Sequence, residues 1–265
     1  MRHCFVVRVF TRGGEGGNHL GIVTDVVGLT DETMQAIATD LGFSETIFID
    51  SMAGEVPDVR IFTPTIELPF AGHPLVGAAW LLNTLAPEPT AELTCGIGAV
   101  ALSWDGTKAW IDVALDQEVR PYPDFDEAAL GLSSVASAYV VDMPLSYVIA
   151  ELSSPTDVAA YVADEATLGG HRDGQHLSIW SHLDENTIQT RFFAPKMGIL
   201  EDPATGSAAV ALAATFRHRG HRRGAVTLLQ GAEMGFPSEI SLIWDGPVAR
   251  LGGSVVHDEV RELAL

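Results

Sequence analysis

Two cysteines in 265 residues cannot build a disulfide framework. Their scarcity makes a reducing cytoplasm the default expectation. Positive charge is scarce too: 15 Lys and Arg against 35 Asp and Glu give a formal net charge of −20. Nucleic-acid binding needs a cationic face for phosphate, so the composition argues against it. Long apolar runs are missing, since none reaches the roughly 18 residues of a membrane helix. The opening Met1-Arg2-His3 leads into an apolar stretch, Cys4 to Phe10, that Arg8 interrupts and no small-residue cleavage site follows. It reads as a first strand and not as a signal peptide. Several catalytic signatures are absent as well: no His-Glu-x-x-His, no Walker loop and no Gly-x-Ser-x-Gly elbow. Cys95 to Ala101 contains Gly-x-Gly-x-x-Ala, but Leu102-Ser103-Trp104-Asp105-Gly106 follows it. That is a hairpin pattern, which argues against dinucleotide binding. His218 and His221 are separated by Gly220 and surrounded by arginines, so no metal site is expected there. The basic run from Arg217 to Arg223 falls where a helix ends, where cations offset the negative end of the dipole.

What is present is a globular composition, 47% hydrophobic and 19% charged, enough for one large domain or two half-sized ones. Within it one segment occurs twice. Arg60-Ile61-Phe62-Thr63-Pro64 runs into Pro69-Phe70-Ala71-Gly72-His73, and Arg191-Phe192-Phe193-Ala194-Pro195 runs into Pro203-Ala204-Thr205-Gly206-Ser207. Each copy is Arg-x-Phe-x-Pro, a loop, then Pro-x-x-Gly opening an Ala-rich stretch. The pattern predicts a duplicated domain with one glycine-led helix per half, covering roughly Leu75–Asn83 and Ser207–Arg219. Another helix is expected from a Thr30 cap to about Leu41, with Gly42 as its stop. Short strands are expected at Phe5–Phe10, Thr46–Asp50, Val59–Phe62, Ala99–Trp104 and Ala109–Val113, with a closing strand at Val248–Val256. The polar stretch Asp116–Asp126, with Pro121 and Pro123, is the expected linker. The halves are thus 1–117 and 121–256.

A glycine-led helix start leaves N–H groups pointing outward, where the dipole adds partial positive charge. Gly72 and Gly206 let a carboxylate approach the backbone closely. If the halves face each other, both starts converge on one small anionic ligand. A single such start would be read as an ordinary cap; two in matching positions favour ligand binding. His73 follows Gly72 and offers a hydrogen bond, an acid or a base near neutral pH. Asp202 precedes the second Pro-x-x-Gly, and two readings stay open: it orients His73, or it closes its own loop by an Asx-type turn. Glu45 stands between a helix stop and a strand. It is either a solvated turn residue or, if half-buried, an acid/base with a raised pKa.

Taken together these residues resemble the PhzF-like phenazine-biosynthesis family, within the diaminopimelate epimerase and proline racemase superfamily. The matching segments are Val9-Phe10-Thr11, Gly17-Asn18, Ser44-Glu45-Thr46, Val59 to Pro64, Glu67 to Pro74, Arg191 to Pro195, Glu201 to Ala208, Gln230-Gly231-x-Glu233-Met234-Gly235 and Pro237-Ser238. The resemblance implies an α+β fold of two pseudo-symmetric halves, each a mixed sheet around a central helix. The site would lie between the halves. It leaves room for the C-terminal segment, 257–265, to return to the first half, and it implies a homodimer. It implies no cofactor and no metal. Glu45 matches the family's general acid/base. His73 and Asp202 flank the reacting centre as catalytic residues, and Gly72, Gly206, Ser207 and Asn18 bind substrate. The superfamily's thiol pair does not carry over, because Cys4 and Cys95 lie outside the helix-entry motifs. Two departures stand out: His19 follows Gly17-Asn18 where many relatives have Pro, and Phe236 stands where many have Arg.

The expected function is a cofactor-independent isomerase or epimerase that moves a proton between carbons of a small carboxylate-bearing substrate. Partners would be that anionic substrate and a second copy of the chain, with no nucleic acid and no membrane. The alternative is a non-catalytic small-molecule binding or protein-interaction module on the same fold. Glu45, His73 and Asp202 together favour the enzyme, because a pure binder needs only the anion donors.

Overall fold

Thr30 closes one end of the first helix and Gly42 the other. The Thr30 side chain accepts from the Thr33 N–H, and Gly42 sits at φ 66° with its N–H on the Ala38 carbonyl. Only glycine and a few polar residues adopt that left-handed conformation cheaply. The helix occupies the expected span in a computed structural model that describes residues 2–52, 56–86, 88–174 and 176–263. The chain divides into two compact units, Met1–Val113 with Arg250–Leu265, and Ala114–Ala249. No helix among the described residues is long and apolar enough to cross a membrane.

The first unit runs β1 (Arg2–Val9), β2 (Asn18–Thr24), α1 (Asp31–Leu41), β3 (Glu45–Ile49), β4 (Val59–Phe62), β5 (Glu67–Leu68), α2 (Gly72–Thr84), β6 (Glu92–Cys95), β7 (Gly98–Trp104) and β8 (Ala109–Ala114). The second runs β9 (Glu118–Pro121), β10 (Val135–Asp142), β11 (Ser146–Leu152), α3 (Pro155–Ala160), α4 (Glu165–Gly170), β12 (Leu177–His182), β13 (Thr187–Ala194), β14 (Ile199–Asp202), α5 (Gly206–His218), β15 (Arg223–Gln230) and β16 (Ser238–Asp245). β17 (Val248–Gly253) carries the chain back to the first unit, where β18 (Val255–Leu263) pairs antiparallel with β1.

The duplication read in the sequence extends to topology. β1 and β2 are antiparallel, β2 and β3 parallel, β3 and β4 antiparallel, and β5 folds back on β4. β10 to β14 repeat that series in the second unit. A helix of 13 residues follows each series. Both are apolar nearly all round, with Leu75 to Ala79 buried in α2 and Gly206 to Phe216 buried in α5. That is the signature of a helix enclosed by its own unit and not lying on a surface. α2 packs on β1, β2, β3 and β7, and α5 on β9, β10, β11 and β16.

The opposite sheet faces carry outer cores. Cys4, Val6, Val23 and Phe48 meet Met34, Ile37 and Ala38 of α1. Val148, Ala150 and Leu152 meet Val158 of α3 and Leu168 of α4. Each fully buried Leu, Ile or Phe contributes roughly 1.5–3 kcal/mol.

Two expectations are corrected. Asp116–Asp126 is not a linker, because Glu118–Pro121 pairs with Tyr139–Asp142 as β9 at the sheet edge. An edge position accommodates Pro121, which cannot donate to a ladder. The closing strand is two strands, β17 and β18, broken at Ser254. The expected halves differ from the units mainly here, since residues 250–256, and not only the C-terminal segment 257–265, join the first unit. The strand β18 covers β1, a pairing that apolar periodicity does not announce.

Candidate active site

Side chains alternate along a strand, so Glu45, Ile47 and Ile49 share one face of β3 while Thr46 and Phe48 share the other. Phe48 belongs to the core beneath α1. Glu45 therefore faces α2. It lies at the strand's first position, directly after the Gly42 turn, in parallel register with Leu20. His73, in the first turn of α2, brings Nδ1 to 3.2 Å from Glu45 Oε2, with the two side chains only 3% and 14% exposed. Burial pushes the imidazole down to about 3, so it is neutral at neutral pH. His73 Nε2 is buried and has no hydrogen-bond partner among the described residues. A buried polar atom is normally satisfied, so this one has unused hydrogen-bonding capacity.

Asn18 opens β2 beside them. Its Oδ1 accepts from Ser44 Oγ at 3.0 Å, tying the starts of the parallel strands β2 and β3 together. Gly17 makes the approach possible. It sits at φ 84°, and a Cβ there would lie 2.8 Å from the Val9 carbonyl oxygen and 2.9 Å from Thr11 Cγ2. Phe10, fully buried, is itself left-handed at φ 65°. Such a conformation is strained for a bulky residue and clusters at functional sites.

The helix starts differ by role. α1, α3 and α4 each receive a side-chain cap, from Thr30, Ser154 and Asp164. The caps of α2 and α5, Ala71 and Thr205, make no such bond. The two glycine-led starts thus lack the usual side-chain closure, which leaves the dipole's positive end available to an anion.

In the second unit Asp202 is buried and accepts from Thr205 Oγ1. Gln230 Nε2 donates to the Asp202 carbonyl at 2.7 Å and to Thr205 Oγ1 at 3.0 Å, while its Oε1 accepts from the Thr205 N–H at 3.2 Å. Gly231, at φ 77°, lets this turn press on the loop: a Cβ would lie 2.6 Å from the Pro203 carbonyl oxygen. Ser207, buried in the first turn of α5, receives the Tyr147 hydroxyl at 2.8 Å. The structure therefore gathers Asn18, Glu45, Gly72 and His73 in the first unit, and Asp202, Gly206 and Ser207 in the second. Ser44, Tyr147, Thr205 and Gln230 join them without having been singled out as site residues. Ser44 and Gln230 lie inside segments the sequence flagged, whereas Tyr147 stands on a strand with no motif around it.

Among the described residues no group of three His, Cys, Asp or Glu is placed to hold a metal ion. Both cysteines are buried, and burial pushes Cys4 up to about 11 and raises Cys95. Such thiols stay protonated and unreactive at neutral pH.

Comparison with known proteins gives the family and the fold. Residues 7–253 match the model of a family described as phenazine biosynthesis-like protein. The chain is 32% identical to an uncharacterised isomerase of Mesorhizobium japonicum, covering 96% of each chain. It is 31% identical to the trans-2,3-dihydro-3-hydroxyanthranilate isomerase of Pseudomonas aeruginosa, covering 91% of this chain and 89% of that one. The crystal structure of a PhzF-family phenazine biosynthesis protein from Enterococcus faecalis superposes with a TM-score of 0.84 at 23% identity, covering 100% and 99% of the two chains. That likeness shows a common fold, the diaminopimelate epimerase-like one. The chain belongs to the phenazine biosynthesis-like family and is an isomerase.

Proposed function

We propose that this isomerase moves a proton between carbons of a small carboxylate-bearing substrate, with Glu45 as general acid/base and no cofactor. The observation that carries it is the buried contact of Glu45 with a neutral His73. A protonated histidine at 3.2 Å would pair with the carboxylate and weaken it as a base. Burial keeps the imidazole neutral, so no imidazolium pairs with the glutamate. Glu45 takes a proton from carbon and becomes a carboxylic acid. The electron pair left behind delocalises into the adjoining unsaturated or carboxyl-activated centre. Glu45 then returns the proton at the other carbon, so that no atom is gained or lost. His73 Nε2 polarises the substrate. In the first unit the Gly72 N–H binds its carboxylate and Asn18 contacts it beside Glu45, while the Gly206 N–H and Ser207 offer anion donors in the second unit. Asp202 orients the α5 start through Thr205.

The named relative acts on a dihydro-hydroxyanthranilate, itself a carboxylate, and this class of acid is the place to begin a search. Wild-type protein is incubated in deuterated water with a panel of small unsaturated carboxylic acids and read by mass spectrometry. Deuterium gain or isomer formation with at least one acid is expected. Thermal stabilisation by an acid that never exchanges would contradict turnover and favour a binding module.

A further inference from the structure

The basic run Arg217-His218-Arg219-Gly220-His221-Arg222-Arg223 is not used by the proposed chemistry. Its arginines divide into two sets. Arg219 pairs with Glu151 at 2.8 Å and Arg223 with Asp245 at 3.8 Å. Arg217 donates to the Leu115 carbonyl at 2.7 Å, and neither it nor Arg222 has a carboxylate partner among the described residues. That is unexpected in a chain with 35 Asp and Glu against 15 Lys and Arg, where a guanidinium without a particular duty finds an acid nearby. The two unpaired arginines line the same cleft of about 600 Å³, together with His218 and Gln117, and no acidic residue lines it. The cleft lies wholly within the second unit. It is bounded by the end of α5, the start of β9 and the Gly246-Pro247 turn.

Offsetting the helix dipole explains Arg217 and His218, which stand in the last turn of α5. It does not explain Arg222, which lies past the helix end and still faces the cleft. Two guanidiniums carry two charges and present forked N–H donors suited to tetrahedral oxyanions. His218 lines the cleft beside them and adds a ring nitrogen, whereas the Gln117 amide N–H already donates to the Ala114 carbonyl at 2.8 Å. We propose that this cleft is a binding site for a phosphate-bearing small molecule, separate from the acid/base site. A phosphate dianion matches the two charges, and α5 places the cleft about 20 Å from the Gly206 start.

The test is calorimetric titration of the intact protein with inorganic phosphate at low ionic strength, alongside succinate as a dicarboxylate of equal charge. Saturable one-to-one phosphate binding is expected, tighter than succinate and weakened about tenfold or more by Arg222→Gln, whose exposed side chain makes no internal bond to lose. Arg217→Gln should weaken it similarly, with folding checked by circular dichroism. Absence of saturable phosphate binding to wild type would overturn the proposal. So would unchanged affinity in Arg222→Gln, while equal binding of succinate would overturn the phosphate assignment.

Discussion

His73 is buried where a proton would be costly, and stability should record this. Its folded value lies far below the roughly 6.5 of an unfolded histidine. Protons therefore bind the unfolded chain preferentially between those limits, and stability is lost as pH falls below about 6.5. The expected contribution is up to about 2 kcal/mol between pH 7 and pH 5, moderated by the hydrogen bond to the His19 backbone, which pulls the other way. Denaturant unfolding of wild type and His73→Gln across that range measures it, and the wild type should lose more. Gly17→Ala should cost roughly 1–3 kcal/mol by the same assay, since the alanine must hold φ 84° and intrude on Val9. The thiols of Cys4 and Cys95 should resist alkylation in the native protein and react once it is unfolded, because burial keeps them protonated. Much of this scale was legible. Glu45 was placed at a strand mouth because Gly42 must end a helix, and His73 at a helix entry because Gly72 must begin one. Their contact was not legible, since it depends on which face of β3 turns toward α2. Tyr147 was invisible for a similar reason: nothing local distinguishes a strand tyrosine that reaches a helix start from one that does not.

At the scale of elements, the duplicated Arg-x-Phe-x-Pro segment is explained by a pairing the sequence did not reveal. Arg60 grips Glu67 with two bonds of 2.7 Å, and Arg191 grips Glu201 with two of 2.7 Å. Each pair locks the short strand that leads into a central helix. The loop between the partners differs in length, which hides the glutamate's equivalence in a linear reading. Burial separates the two copies: Arg191 and Glu201 are 6% and 13% exposed, Arg60 and Glu67 30% and 42%. Glu201→Ala leaves a buried guanidinium unpaired and should cost about 3–5 kcal/mol. Glu67→Ala should cost at most about 1 kcal/mol, because solvent and Asp31 still attend Arg60. Equal losses in thermal or urea unfolding would contradict the assigned difference. Helices α1, α2 and α5 were legible because Thr30, Gly42 and the two glycine starts carry strong local signals, whereas the six-residue α3 and α4 were not anticipated. The strand β9 was not, since Pro121, the nearby Pro123 and the polar composition imitate a linker, while the edge position tolerates Pro121.

On the scale of the whole molecule, duplication is the organising fact, and it was readable from one repeated motif. The return of the C-terminus to the first unit was readable only through the family resemblance and not from local pattern, because β18 is rich in charge: Asp258, Glu259, Arg261 and Glu262. Those charges suit an exposed edge strand, where they discourage pairing with other chains. Arg8 holds Asp258 at 2.9 Å across the β1–β18 ladder. Truncation after Ser254 should therefore bare the edge of β1 and make the protein aggregate, which light scattering would detect; a soluble, unaltered truncate would refute that role for β18. The proposed function rests on one residue of this duplicated frame, and its most direct test is steady-state turnover of Glu45→Gln on an acid shown to isomerise, with melting temperature measured alongside. General acid/base catalysis contributes about 10²–10⁴-fold. The expected result is a fall in kcat of that size with melting temperature little changed. Turnover near the wild-type rate in a folded Glu45→Gln protein would contradict the assignment of the proton transfer to this glutamate.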